Sequence, residues 1–151
     1  MKDTPIMQLR LGDAVAYQGA HYSVASVTVC RDAAAPWTRF GLSPVGQQPE
    51  LGLVELRDAL YAAESLTADW EAGAAAVQWE GAAYALSVQG RAPWEQEDRD
   101  GQRRFDRVGF RLYAGPEGVL LLDGEGHAGR FTWALRPLDR EQLEVYPAAG
   151  A

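Results

Sequence analysis

Leu9-Arg10-Leu11-Gly12-Asp13-Ala14-Val15-Ala16-Tyr17-Gln18-Gly19-Ala20-His21-Tyr22-Ser23-Val24 is the stretch from which the fold is read. Leu9, Leu11, Val15 and Tyr17 share one alternation phase, broken only at Asp13, so residues 9–17 are expected to form a half-buried strand. Gln18-Gly19-Ala20 supplies a turn, and Tyr22 and Val24 open the returning arm. Val27 and Val29 occupy the opposite phase, which requires a bulge or sharp bend near Ala25-Ser26. A strongly bent second strand is typical of small barrels.

The pattern has an echo. Shifted by 62 positions, Val15, Tyr17, Gly19, Tyr22 and Val24 fall on Val77, Trp79, Gly81, Tyr84 and Leu86. Between the two hairpins, Trp37, Arg39 and Gly41 alternate with Thr38, Phe40 and Leu42 as a third strand. Residues 53–66 are read as a hairpin turning at Arg57-Asp58-Ala59; a single helix from Leu53 to Leu66 is the competing reading, permitted by its alanines and leucines. In the second half, Asp100-Gly101 suits a tight turn, Val108, Phe110 and Leu112 alternate, and Val119-Leu120-Leu121-Leu122 reads as a strand buried on both faces. Phe131, Trp133 and Leu135 make a further strand, and Leu143 with Val145 a closing one. The expectation is an all-β chain with little helix: two related SH3-like or small-barrel halves, residues 8–70 and 74–147, packed as one domain over residues 1–151. The halves are expected to meet around Tyr17, Tyr22, Trp79 and Tyr84.

A chain of 151 residues can bury a sizeable core without a metal or disulfide. Cys30 is the only cysteine, so a reducing compartment fits and no multi-cysteine zinc site can form. No apolar run suits a signal peptide or approaches the roughly 20 residues of a membrane span, and a cytoplasmic location is expected. With 14 basic and 21 acidic residues the formal charge is -7, which disfavours nucleic acid as a partner.

Few residues carry chemical promise. Asp123, Glu125 and His127 alternate and, in an extended chain, would share one face able to ligate a divalent ion; the alternative is that they decorate a loop built on Gly124, Gly126 and Gly129. His21 could activate Cys30 as a nucleophile, against the commoner buried and inert cysteine. Glu95, Glu97, Asp98 and Asp100 face Arg99, Arg103, Arg104 and Arg107 across a presumed hairpin, as cross-strand ion pairs or as a cradle for a cationic ligand such as a polyamine. Trp37, Trp70 and Trp94 flank proline, acidic or loop residues and are candidate surface anchors for a partner. Serine hydrolase, P-loop and dinucleotide-binding patterns are absent, and no cofactor is expected.

The order Leu11-Gly12-Asp13-x-Val15-x-Tyr17-x-Gly19-x-x-Tyr22-x-Val24, then Trp37-x-x-Phe40-x-Leu42, then Val77-x-x-x-Gly81-x-x-Tyr84-x-Leu86-x-x-x-Gly90-x-Ala92, resembles a bacterial family catalogued as domain of unknown function 4178. The similarity spans roughly Leu9 to Tyr146 and rests on the order of turn glycines and aromatics. Members are often encoded beside phage-shock-type membrane-stress proteins and polyamine-synthase-like proteins. The resemblance therefore implies an accessory role, in a peripheral membrane-stress complex, and supplies no catalytic residues. The expected function is a non-enzymatic binding or adaptor module with a protein partner; the alternative is a binder of polyamines or other small cations serving as an enzyme accessory. Any site is expected where the halves differ, in Trp94 to Arg107 and Asp123 to Gly129.

Overall fold

The computed structural model describes residues 9–47 and 49–148. Eleven strands form two antiparallel meanders. The first runs through β1 (Ala14–Tyr17), β2 (Ala20–Cys30), β3 (Trp37–Pro44), β4 (Leu51–Leu56) and β5 (Ala59–Ser65). The second runs through β6 (Ala76–Trp79), β7 (Ala82–Asp98), β8 (Arg103–Ala114), β9 (Leu120–Gly126) and β10 (Gly129–Pro137); β11 (Leu143–Tyr146) returns to pair with β1. Two pairings join the meanders, β2 with β7 from Ser26↔Asp98 to Cys30↔Trp94, and β5 with β10 from Ser65↔Trp133 to Tyr61↔Pro137. They close an eight-stranded antiparallel barrel, β2-β3-β4-β5-β10-β9-β8-β7, so the all-β, small-barrel expectation holds. Two short 3-10 turns, Pro116–Gly118 and Arg140–Gln142, are the helical elements among the described residues, and none of these is long or apolar enough to cross a membrane.

Closure needs β2 and β7 to serve two sheets each. The first part of β2 pairs with β1, and the rest pairs with β7. The change of direction comes at a bulge between Val24 and Ser26, where the phase of the sequence switches, and β7 carries a matching bulge between Leu86 and Val88. Residues 53–66 are the β4–β5 hairpin and not a helix, because the turn residues Arg57 and Asp58 take left-handed backbone (φ 51 and 65) and return the chain onto β4.

Alternation then sorts the side chains into three clusters. Cys30, Trp37, Val54, Phe110, Leu122, Trp133 and their neighbours fill the barrel. Trp37 lies edge-on to Trp133 (5.6 Å, 85°), which stacks on Phe131 (4.7 Å). Such ring pairs add about 0.5–1.5 kcal/mol each to what burial contributes. Outside the barrel, the β1–β2 hairpin covers Phe40, Leu42 and Leu53, while the β6–β7 hairpin covers Tyr113, Leu121 and Ala134. Tyr22 belongs to the first of these flanking clusters and Tyr84 to the second, with Tyr17 and Trp79 packed against them respectively. The expected meeting of these four aromatics is therefore corrected: each hairpin folds over the strands of its own meander.

The opening arm is also shorter than its alternation suggests. Arg10 to Asp13 is a turn: the Asp13 amide donates to the Arg10 carbonyl (3.0 Å), and the Arg10 amide donates back to Asp13 Oδ2 (2.9 Å). Asp13 Oδ1 accepts from the Ala148 amide (3.0 Å), so the one polar break in the pattern ties the start of the described chain to its end.

Candidate functional site

The polar group that fits the barrel least well is Arg39. Along β3, Trp37, Arg39 and Gly41 face the interior while Phe40 and Leu42 face the covering hairpin, so the guanidinium is carried into the mouth of the barrel. Its Cζ stands 4.8 Å from the ring centroid of Trp133. Gly41 and Gly52 are direct cross-strand partners, and their lack of side chains makes the trough in which it lies. A Cβ on Gly52 would come within 3.1 Å of Nη2 and 3.2 Å of Nε, and one on Gly41 within 3.2 Å of Nη1 as well as colliding with Ser26 Oγ.

Arg39 Nε is buried without a hydrogen-bond partner, and no ion pair of Arg39 occurs among the described residues. Burial disfavours its charged form, and the charge of Glu50 acts in the opposite direction. The mouth opens as a pocket of about 280 Å³ lined by Ala25, Ser26, Arg39, Gly41, Leu42, Ser43, Glu50, Leu51 and Asp98. Its rim is fixed by the β2 bulge: the Ala25 carbonyl accepts from the Arg99 amide (3.1 Å), and Arg99 Nη1 donates to Ser23 Oγ (2.8 Å). The tip of the β7–β8 ribbon is thereby held against β2, with Asp98 at the pocket. A larger groove of about 570 Å³ at the opposite end runs past Arg31, Asp32, Glu55, Arg57 and Asp58. There Arg31 pairs with Glu95 (3.7 Å) and Asp32 accepts the Ala34 and Ala35 amides, so those charges already have partners.

The residues singled out in the sequence are placed differently. Trp37 is 1% exposed and cannot anchor a partner; it is core, because Pro36 precedes the strand and leaves Trp37 in the inward phase. Trp70 is half-buried beneath the Arg130 guanidinium (6.0 Å), and Trp94 packs half-buried against the barrel interior. Among the described residues, the large apolar side chains that do stand in solvent are Val45, Phe105, Val145 and Tyr146, with Phe105 69% exposed. Glu95 is salt-bridged to Arg103 and Arg31, and Glu97 lies opposite Arg103 in the ladder. Asp98 Oδ1 accepts the Asp100 and Gln102 amides (3.0 and 3.1 Å), shaping the ribbon turn. Of these six, only Asp98 lines the mouth.

Asp123 is neither a metal ligand nor a loop decoration. It sits in β9 with a fully buried side chain that accepts from Arg130 Nε (2.9 Å) and Nη2 (3.0 Å), Thr132 Oγ1 (2.9 Å) and Arg111 Nη2 (3.4 Å). Glu125 and His127 are exposed, the latter in the turn before β10, and no metal-binding group of three or more appears among the described residues. His21 and Cys30 lie on the same strand nine positions apart. At the rise of an extended chain that is about 30 Å, which rules out a catalytic pair. Burial, then the charge of Asp32, pushes the Cys30 thiol up to about 11, partly offset by a backbone hydrogen bond at Asp32. A native-state thiol reagent should therefore leave Cys30 unmodified over hours while the urea-unfolded chain reacts at once; rapid native labelling, followed by mass, would contradict its burial.

Arg39 was visible in the sequence as a charge in the Trp37-Arg39-Gly41 phase of a strand whose other phase, Phe40 and Leu42, is apolar. Nothing local says that Gly52 faces Gly41. The chain matches no family model, and no curated protein or solved structure gives a significant match.

Proposed function

We propose that this protein is a non-enzymatic binding module whose recognition centre is the barrel mouth around Arg39. The observation that carries the reading is a guanidinium held against Trp133, without a paired carboxylate among the described residues, at the floor of a pocket. Burying an uncompensated charge opposes folding, and a bound group that neutralises it recovers that cost. The residues with reactive chemistry are otherwise engaged: Cys30 is buried and Asp123 is saturated by two arginines and a threonine.

An adaptor role in a bacterial membrane-stress assembly, implied by the resemblance to domain of unknown function 4178, is compatible with such a scaffold, and Phe105 is an exposed ring on which a protein partner would rest. The second reading, a polyamine or small-cation binder, is favoured by Glu50 and Asp98 lining the same pocket. A thermal-shift panel of small anions, zwitterions and cations including spermidine tests the mouth. A ligand that raises the melting temperature of wild type but not of Arg39→Met is expected. No Arg39-dependent shift in any of the three classes would dismiss the mouth as the recognition centre.

A further inference from the structure

Charge at the mouth is arranged in two tiers. Arg39 supplies one cation at the floor, and Glu50 and Asp98 supply two carboxylates among the lining residues. Asp98 spends Oδ1 on the ribbon turn, which leaves Oδ2 as an acceptor. Ser26 and Ser43 add hydroxyls, whereas Leu42 and Leu51 turn their side chains to the covering hairpin and line the pocket with backbone.

A simple anion entering this pocket would meet Arg39 and be repelled by two carboxylates. A simple cation would meet the carboxylates and add a second positive charge beside a guanidinium that already lacks a partner. Only a ligand with both signs in close proximity satisfies the floor and the rim together. At about 280 Å³ the space falls just below the roughly 300–1,000 Å³ of sites for drug-sized ligands, which restricts the occupant to a small metabolite.

We infer that the mouth binds a free α-amino acid, its carboxylate on the Arg39 guanidinium and its ammonium on Glu50 and Asp98, with its side chain directed out of the barrel. The inference rests on the reading of the mouth as the recognition centre and specifies its ligand class. Carboxylate recognition by guanidinium is the strong, charge-assisted contact; the rim supplies discrimination.

Isothermal calorimetry of the full chain with three probes separates the possibilities: L-leucine, 4-methylpentanoate (leucine without its ammonium) and 3-methylbutylamine (leucine without its carboxylate). Leucine should give a saturable one-site isotherm, with each analogue at least about tenfold weaker, since each forfeits a hydrogen-bonded charge contact. Arg39→Gln, with folding checked by circular dichroism, should abolish leucine binding. Glu50→Gln should weaken leucine and narrow its advantage over 4-methylpentanoate. If 4-methylpentanoate or 3-methylbutylamine binds as tightly as leucine, the zwitterion inference is overturned and the mouth remains a single-charge site. If leucine, glycine, serine and phenylalanine all give no heat, the inference is likewise overturned, and the thermal-shift panel then decides separately whether the mouth binds anything through Arg39.

Discussion

Replacing Asp123 by alanine is expected to destabilise the protein by about 3 kcal/mol, the lower end of the range for breaking a buried charge pair. The carboxylate is fully buried and accepts from Arg130, Thr132 and Arg111, whereas the two arginines keep 27% and 15% of their side chains in contact with solvent. Removing it leaves two guanidinium groups and a hydroxyl facing a void, with only partial access to water as compensation. In urea, the unfolding midpoint should fall with the slope unchanged. The pH dependence follows from the sign of the shift. Burial alone would raise the Asp123 pKa, but the hydrogen bonds from Arg130 and Thr132 and the charges of Arg130 and Arg111 win, leaving it below the ordinary value of about 4. A depressed folded-state pKa gives stability that is complete above about pH 4 and lost as pH falls through the folded value. The gap between wild type and Asp123→Asn should therefore be widest near neutrality and shrink in acid. A loss below about 1 kcal/mol at pH 7, or a gap that does not narrow in acid, would contradict this account.

Asp123 also shows what a sequence displays and what it hides. Its neighbours Gly124, Gly126 and Gly129 suggest a flexible loop, yet Gly124 lies in β9 directly opposite Phe131, and a side chain there would collide with that ring. The glycine marks a ring filling a barrel, a long-range fact that no local pattern carries. Counted from the two bulges, Phe40 and Leu53 form the second cross-strand pair beyond Val24/Ser26, and Arg111 and Asp123 stand at the matching place beyond Leu86/Val88. The same position is thus filled by an apolar pair under one hairpin and an ion pair under the other. Strand existence, turn glycines and the bend at Ala25-Ser26 were legible because each is written within a few residues. The closing pairs β2–β7 and β5–β10 were not, since they join segments far apart in the chain, and they alone decide which side of each strand becomes interior. For that reason Trp37, beside a proline, looked like an anchor and is core.

The same missing information concealed the setting of Arg39, whose replacement by methionine is expected to make the protein more stable by about 1–2 kcal/mol while abolishing ligand binding. Methionine has nearly the reach of arginine and no charge to desolvate, and its thioether packs favourably on an aromatic ring such as Trp133. The variant forfeits a cation–π contact of about 0.5–2 kcal/mol. It is relieved of a half-buried charge whose Nε makes no hydrogen bond, and the desolvation it no longer bears is the larger of the two terms. For a chain of this length, each kcal/mol gained should raise the melting temperature by about 2–4 °C. A residue kept for architecture destabilises when removed, whereas one kept for recognition stabilises, because the binding site stores unfavourable electrostatics that its ligand relieves. If Arg39→Met instead lowers stability by more than about 1 kcal/mol, the guanidinium is a structural strut between Gly41, Gly52 and Trp133. If it raises stability and removes binding together, Gly41 and Gly52 are best understood as the space that β3 and β4 leave open so that an arginine can be held, unneutralised, where a ligand's carboxylate will meet it.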